Sequence, residues 1–187
     1  MTTTRSATSS SYGLALRRLY FVRFAFAILW AGLVFTTAHL VPVLTVLLIV
    51  YPLFDAGAVL WQLRADPDDR RSKASEWINV IVSVAVAVAL GVASTVSISA
   101  VLVVWGVWAI GAGAPQLVTA IRNRRTGGQV PQMLSGGISV LAGAGFLLQG
   151  LQGGEMITGP AGYAILGGVF FLISAIRLSL ILQKRTA

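Results

Sequence analysis

The chain contains no cysteine and a single histidine among its 187 residues. The absence of cysteine excludes disulfides, thiol nucleophiles and cysteine-ligated metals, and one histidine leaves little scope for a histidine-based metal site. Charged residues are also scarce, at 11%, where an ordinary soluble domain carries about 25%. Because 56% of the residues are hydrophobic, the composition excludes a soluble globular enzyme and a disordered chain.

Negative charge is scarcer still, so the formal net charge is +8 at pH 7. A nucleic-acid-binding domain would gather its cations on a water-facing surface, whereas here they stand at the ends of long apolar runs. The sequence therefore predicts an integral membrane protein whose partner is the lipid bilayer, and no nucleic acid partner.

Six apolar runs are long enough to cross a bilayer, whose hydrocarbon core of about 30 Å needs roughly 20 residues of helix. Helices are expected because backbone polar groups in lipid must be satisfied within the protein, and the short alternating segments of a β-barrel are absent. The prediction is an all-α, polytopic membrane protein with six transmembrane helices. The runs are Leu19–Thr37, Val41–Leu63, Trp77–Ala93, Ile98–Ile121, Met133–Leu151 and Gly159–Leu182.

The cations mark one side of this predicted bundle. Three of the five connections contain no Lys or Arg, and the positive-inside rule places both termini and the two basic loops in the cytoplasm. The protein is then a multi-pass protein of the cell (inner) membrane. The role of these cations in fixing the orientation is enough to explain why they lie on one side. The alternative explanation is that they bind anionic lipid headgroups. The cations are Arg5, Arg17, Arg18, Arg64, Arg70, Arg71, Lys73, Arg122, Arg124, Arg125, Lys184 and Arg185.

One transmembrane domain, residues 15–183, is expected between a disordered cytoplasmic tail at 1–14 and a cytoplasmic tail at 184–187. Predicted helices 1, 3 and 5 begin at nearly equal intervals, near Leu19, Trp77 and Leu134. The domain is therefore predicted to consist of three helical hairpins of the same orientation, a parallel repeat. The repeats cover about 15–64, 77–122 and 133–183.

A glycine-rich helix precedes the second basic loop, with Ile110-Gly111-Ala112-Gly113 followed by Ala120-Ile121-Arg122. The next helix opens with a run of small residues from Leu134 to Gly143. This pattern, over residues 15–183, resembles the HdeD-like acid-resistance proteins, small six-helix bacterial inner-membrane proteins built from repeated helix pairs. The resemblance implies a non-enzymatic role in acid or envelope stress tolerance. It carries no catalytic, metal or cofactor residues.

A polar layer is predicted in the cytoplasmic half, formed by Asp55, Arg177, Arg23 and Gln116. Asp55 stands nine residues before Arg64, so it lies about 13 Å inside the membrane at 1.5 Å per residue. A carboxylate at that depth needs a partner. Arg177 is the expected partner and Arg23 the second choice, because Arg23 is shallower and can snorkel to water. The layer either holds the bundle together or handles protons or ions.

Three further features leave alternatives open. Ser135, Ser139 and Gly143, like Ala85, Ala89 and Ala93, form lines of small residues that suit packing within the monomer or a homo-oligomer interface. His39 and Glu155 are the residues of the outer loops that titrate at acid pH. They are interpreted either as solvated loop residues or as a pH sensor. A small transporter or channel with a polar site around Asp55 is the alternative function, although apolar outer halves predict no continuous polar pore.

Overall fold

The structure, a computed structural model of the 187-residue chain, describes residues 2–65, 73–122, 124 and 130–186. Side chains are described for residues 12–65, 73–122, 124 and 130–184. In this part of the chain there are six α-helices and no strand. They are α1 Thr2–Thr37, α2 Val41–Ala65, α3 Ala74–Val96, α4 Ile98–Arg122, α5 Val130–Leu151 and α6 Thr158–Thr186.

All six helices are long and apolar enough to cross a membrane, so the predicted all-α, six-helix polytopic fold is confirmed. Most helix ends lie within three residues of the predicted runs, since a helix continues past the hydrocarbon boundary until a turn stops it. α1 differs, because it begins at Thr2 where the sequence predicts a disordered tail up to residue 14. Each residue added to an existing helix gains a backbone hydrogen bond, which allows this polar segment to continue α1.

The helices form a closed ring in chain order, with α6 packed against α1. The most extensive interfaces are α4 with α5, α1 with α6, and α2 with α3. The predicted hairpins, α1 with α2, α3 with α4 and α5 with α6, are the weaker interfaces of the ring. The unit of close packing is therefore offset by one helix from the predicted repeat.

Glycines bring α4 and α5 together. A Cβ added at Gly106 would lie 2.6 Å from the carbonyl oxygen of Gly143, and one added at Gly113 would lie 2.8 Å from that of Gly136. Farther along α5, a Cβ at Gly150 would lie 2.6 Å from the carbonyl oxygen of Ser99. These residues recur every seventh position on both helices, so one face of each presents bare backbone to the other, as small residues allow in membranes.

The two lines of small residues, predicted on α5 and α3 as surfaces for helix packing, are only partly buried. Ser139 and Gly143 are buried on α5. On α3, however, Ala85 is exposed, whereas Ser83 and Ala87 are buried. The buried face of α3 has intervals of three or four residues, and it consists of Val80, Ser83, Ala87, Leu90 and Ala93.

The two ends of the ring differ. At the short-loop end, defined by connections 38–40, 97 and 152–157, the interior is filled by apolar side chains from all six helices. We call this part the sealed half, and its main side chains are Trp30, Val34, Leu44, Leu48, Leu90, Leu102, Trp105, Phe146 and Ala161. The opposite end, with connections 66–73 and 123–129 and both termini, is the basic end. Its half contains the candidate site.

Candidate functional site

A partly open cavity of about 410 Å³ occupies the basic-end half of the ring. Five helices line it, α1, α2, α4, α5 and α6. Aromatic rings form much of the wall, from Tyr20, Tyr51, Trp108, Tyr163, Phe170 and Phe171. Polar side chains supply the rest, from Arg23, Asp55, Gln116, Gln132, Ser135, Ser139 and Ser174.

An ion pair between α1 and α2 lies in the cavity wall. Arg23 Nη2 donates to Asp55 Oδ1 at 2.9 Å and also approaches the Asp55 backbone carbonyl at 3.4 Å. The side chains are 12% and 26% exposed, respectively. Hydrogen bonds between two ionised groups are among the strongest in proteins, so this contact joins α1 to α2 in the wall of the cavity.

Ser83 completes the coordination of this carboxylate from a third helix. Its hydroxyl donates to Asp55 Oδ2 at 3.0 Å, and the residue is fully buried on α3. Both carboxylate oxygens therefore have a donor. The sequence reasoning missed Ser83, because a lone serine in an apolar helix is usually packing. The signal in the sequence that could have found it is its interval of three residues from Val80 and four from Ala87, which places all three on one face of a helix.

The predicted pair of Asp55 with Arg177 is wrong. Arg177 is exposed on α6 beside the exposed side chains of Ile173 and Leu180, on the face that would meet lipid. Counting residues from the helix end finds the depth of a side chain, but not the direction in which it points. Arg23, expected to snorkel, instead points into the ring and is the partner of Asp55.

Gln116 does line the cavity with Arg23 and Asp55. Its Nε2 approaches the backbone carbonyl of Gln132 at 3.5 Å, between α4 and the first turn of α5. Three of the four residues of the predicted polar layer therefore share one cavity, and Arg177 lies outside it.

Aromatic rings hold the Arg23 guanidinium from the α6 side. Its Cζ lies 4.9 Å from the ring centroid of Phe171, a distance that suits a cation–π contact. Phe171 stacks in turn on Tyr20, with centroids 6.1 Å apart. Arg23 Nε is buried without a hydrogen-bond partner. The guanidinium thus retains donor capacity after meeting Asp55.

A layer of rings separates the cavity from the sealed half. Trp108 meets Trp105 edge to face at 5.5 Å, and Tyr51 contacts both indoles. Trp105 stacks on Trp30 at 5.3 Å. Across the ring, the hydroxyls of Ser139 and Tyr163 are 2.8 Å apart. These contacts form the floor of the cavity.

The other sequence candidates, His39 and Glu155, lie in connections at the short-loop end, outside the cavity. Both side chains are exposed. In the described ranges, no group of three or more His, Cys, Asp or Glu could hold a metal ion.

Comparison of the chain with protein-family models, with curated proteins and with solved structures finds no match. A ligand in the cavity would meet the Arg23–Asp55 ion pair, whose charges cancel, together with hydroxyl-bearing and amide-bearing residues and aromatic rings.

Proposed function

We propose that this integral membrane protein is a non-enzymatic, HdeD-like protein of the bacterial cell (inner) membrane that acts in acid or envelope stress tolerance. The observation that supports a non-conducting role is the contrast between the two halves of the ring. A polar cavity extends inward from the basic end and stops at the ring layer of Tyr51 and Trp108. Beyond it, Trp105, Leu102 and Leu48 are completely or almost completely buried.

A conduit needs polar groups along the whole membrane thickness, and the sealed half lacks them in its described core. The Arg23–Asp55–Ser83 contacts are then the functional element, because they join α1, α2 and α3 at one side of the cavity. Stress tolerance itself follows from the HdeD-like resemblance.

The orientation we propose places the basic end in the cytoplasm, next to anionic lipid headgroups. Lys73, Arg122 and Arg124 all lie at this end. Reporter fusions after Lys73, Thr126 and Ala187 should report the cytoplasm, and fusions after Ala38, Ser97 and Gly154 the outside. An inside signal at Ser97 would contradict both this orientation and the six-span topology.

The stress role is tested by survival of a deletion strain in acid and under envelope stress. The wild-type gene should restore survival, and Asp55→Asn should restore it less, because a neutral amide pairs poorly with Arg23. Arg177→Ala is the matched control, since that cation lies outside the cavity, and it should rescue like the wild type. A deletion strain that survives like its parent under both stresses would refute the stress role.

A small transporter with its polar site around Asp55 is the second candidate. The cavity itself favours it, because a carboxylate that reaches a partly open cavity in the middle of a bundle can meet a solute. Such a protein must also open its sealed half. Liposomes containing the purified protein should show no more ion flux than empty liposomes. Flux well above that background, lost in Asp55→Asn, would establish the transporter instead.

A further inference from the structure

Two of the five helices that line the cavity in the basic-end half are α5 and α6. In the described part of the chain, these two helices contact each other less than any other neighbouring pair in the ring. Their side-chain contacts are near the floor, where Tyr163 meets Ser139 and Phe146. Nearer the basic end, Ser135 of α5 and Ser174 of α6 both line the cavity. The helix pair is thus packed at one end and separated by the cavity at the other.

The charges in this cavity disfavour a charged ligand. A phosphate that reached Arg23 would also meet Asp55, whose oxygen is 2.9 Å from the guanidinium. A quaternary ammonium would need the Asp55 carboxylate as its counter-ion, and Arg23 already occupies that carboxylate. Either ligand would have to break a partly buried ion pair, which leaves an uncompensated charge. An uncharged ligand leaves the pair intact.

The hydrogen-bond donors in the cavity wall favour a ligand that accepts hydrogen bonds. An arginine side chain has five N–H donors, and the contacts of Arg23 with Asp55 are all made through Nη2. Tyr20, Tyr51 and Ser135, which each carry a hydroxyl group, also line the cavity. Carbonyl oxygens on the ligand would therefore find donors on several sides.

The aromatic walls of the cavity favour a ligand that contains a flat ring. The rings of Trp108, Phe170 and Phe171 line the cavity, and aromatic pairs prefer offset or edge-on contacts at about 4.5–7 Å between centroids. The volume of about 410 Å³ lies within the range of roughly 300–1,000 Å³ found for small-molecule pockets.

We propose that this cavity binds the head of a membrane quinone. A quinone is an uncharged planar ring with two carbonyl acceptors and an apolar tail, and it resides in the lipid. The ring lies against Trp108 and Phe170, its carbonyl oxygens accept from the Arg23 and tyrosine donors, and its tail leaves between α5 and α6 into the bilayer. This binding site is independent of the stress role proposed above.

Decylubiquinone is the probe, added to the purified full-length protein in nanodiscs of zwitterionic phospholipid, with quenching of tryptophan fluorescence as the signal. Gly167→Phe should fill the site, because Gly167 lines the cavity and a Cβ there meets open space. Gly162→Phe is the matched control on the same helix, since a Cβ there also meets open space and Gly162 does not line the cavity. Thermal unfolding verifies that both variants are folded.

Saturable quenching is expected in the wild type and in Gly162→Phe, with at least tenfold weaker binding in Gly167→Phe. Equal binding by the two variants would place decylubiquinone elsewhere or in the lipid, and no saturable quenching in the wild type would overturn the proposal directly. Decyltrimethylammonium and decyl phosphate carry the same tail with a charged head and should not compete. Competition by either one, lost in Gly167→Phe, would make the site one for charged amphiphiles.

The position of the tail is tested by alkylation, since the chain has no cysteine of its own. Ser135→Cys, at the side of the cavity formed by α5, should react with N-ethylmaleimide at least fivefold more slowly when decylubiquinone is bound. Ser97→Cys, exposed in a connection at the short-loop end, should react at an unchanged rate. Equal rates at Ser135→Cys with and without bound decylubiquinone would exclude the exit between α5 and α6.

Discussion

Trp105 and Trp108 are three residues apart on α4, yet they belong to two different environments. Trp105 is 0% exposed in the sealed half, where it stacks on Trp30. Trp108 lies in the cavity wall beside polar groups. The two halves use similar aromatic residues, and the difference between them comes from what the neighbouring helices place opposite those rings.

In the sealed half, the helices that face α4 present apolar side chains, such as Leu48 and Leu90, that fill the interior. In the cavity half, α5 and α6 present serines and a glycine to the same central space. Small side chains leave room that no neighbour fills, and polar side chains keep that room favourable for water or a ligand. A bundle can therefore combine a rigid half with a binding half along one set of helices.

The largest expected effect comes from removing a ring in the sealed half. Trp105→Ala should lower the free energy of unfolding by about 3 kcal/mol, the lower end for a buried tryptophan, because lipid is itself apolar and mainly packing is lost. Trp108→Ala should lower it by less, since it enlarges an existing cavity. Unfolding in detergent, monitored by circular dichroism, measures both. Equal losses would contradict the division into a sealed half and a cavity half.

The ion pair should give the next largest effect. Arg23→Ala and Asp55→Ala should each cost about 2–3 kcal/mol, below the roughly 3–5 kcal/mol of a fully buried pair, because both groups reach the cavity. The double variant should cost clearly less than the two losses added together, since removing the second partner removes an unpaired charge.

Arg177→Ala is the control for the ion pair, and it should change the free energy of unfolding by less than about 0.5 kcal/mol, as exposed substitutions usually do. Its coupling to Asp55→Ala in a second double-variant cycle should be close to zero. A strong coupling there, with none for Arg23, would restore the pairing expected from depth alone.

The same case shows how far the sequence could predict this molecule. Hydropathy located all six helices, because the bilayer imposes one length and one composition on every span. The depth of Asp55 indicated that it needs a partner. The direction of Arg23 and Arg177 could not be predicted, because the mean hydropathy of a span says nothing about which face meets lipid. The cavity was also beyond reach, since it depends on how α5 and α6 separate.

The α4–α5 contact should give a smaller effect. Gly106→Ala would place its Cβ 2.6 Å from backbone atoms of α5, and such overpacking typically costs about 1–3 kcal/mol. Gly111→Ala is the matched control on the same helix, where a Cβ meets open space, and it should be neutral or slightly stabilising because alanine is the better helix former. Equal stability of the two variants would show that α4 and α5 are farther apart than described.

The smallest effect is expected at Ser83, whose hydrogen bond to Asp55 links the ion pair to a third helix, α3. Ser83→Ala removes the donor to Asp55 Oδ2 and leaves the 2.9 Å contact with Arg23 in place. Hydrogen bonds to charged groups contribute about 1.5–3 kcal/mol, and we expect the lower end because Asp55 can turn its free oxygen toward the cavity. Ser174→Ala is the control, since its hydroxyl donates within its own helix to the Phe170 carbonyl, and it should be nearly neutral. The loss for Ser83→Ala should disappear in an Asp55→Ala background, where the hydroxyl has no carboxylate to meet. If the loss persists there, Ser83 stabilises α3 by packing alone, and the polar contacts at this depth join two helices instead of three.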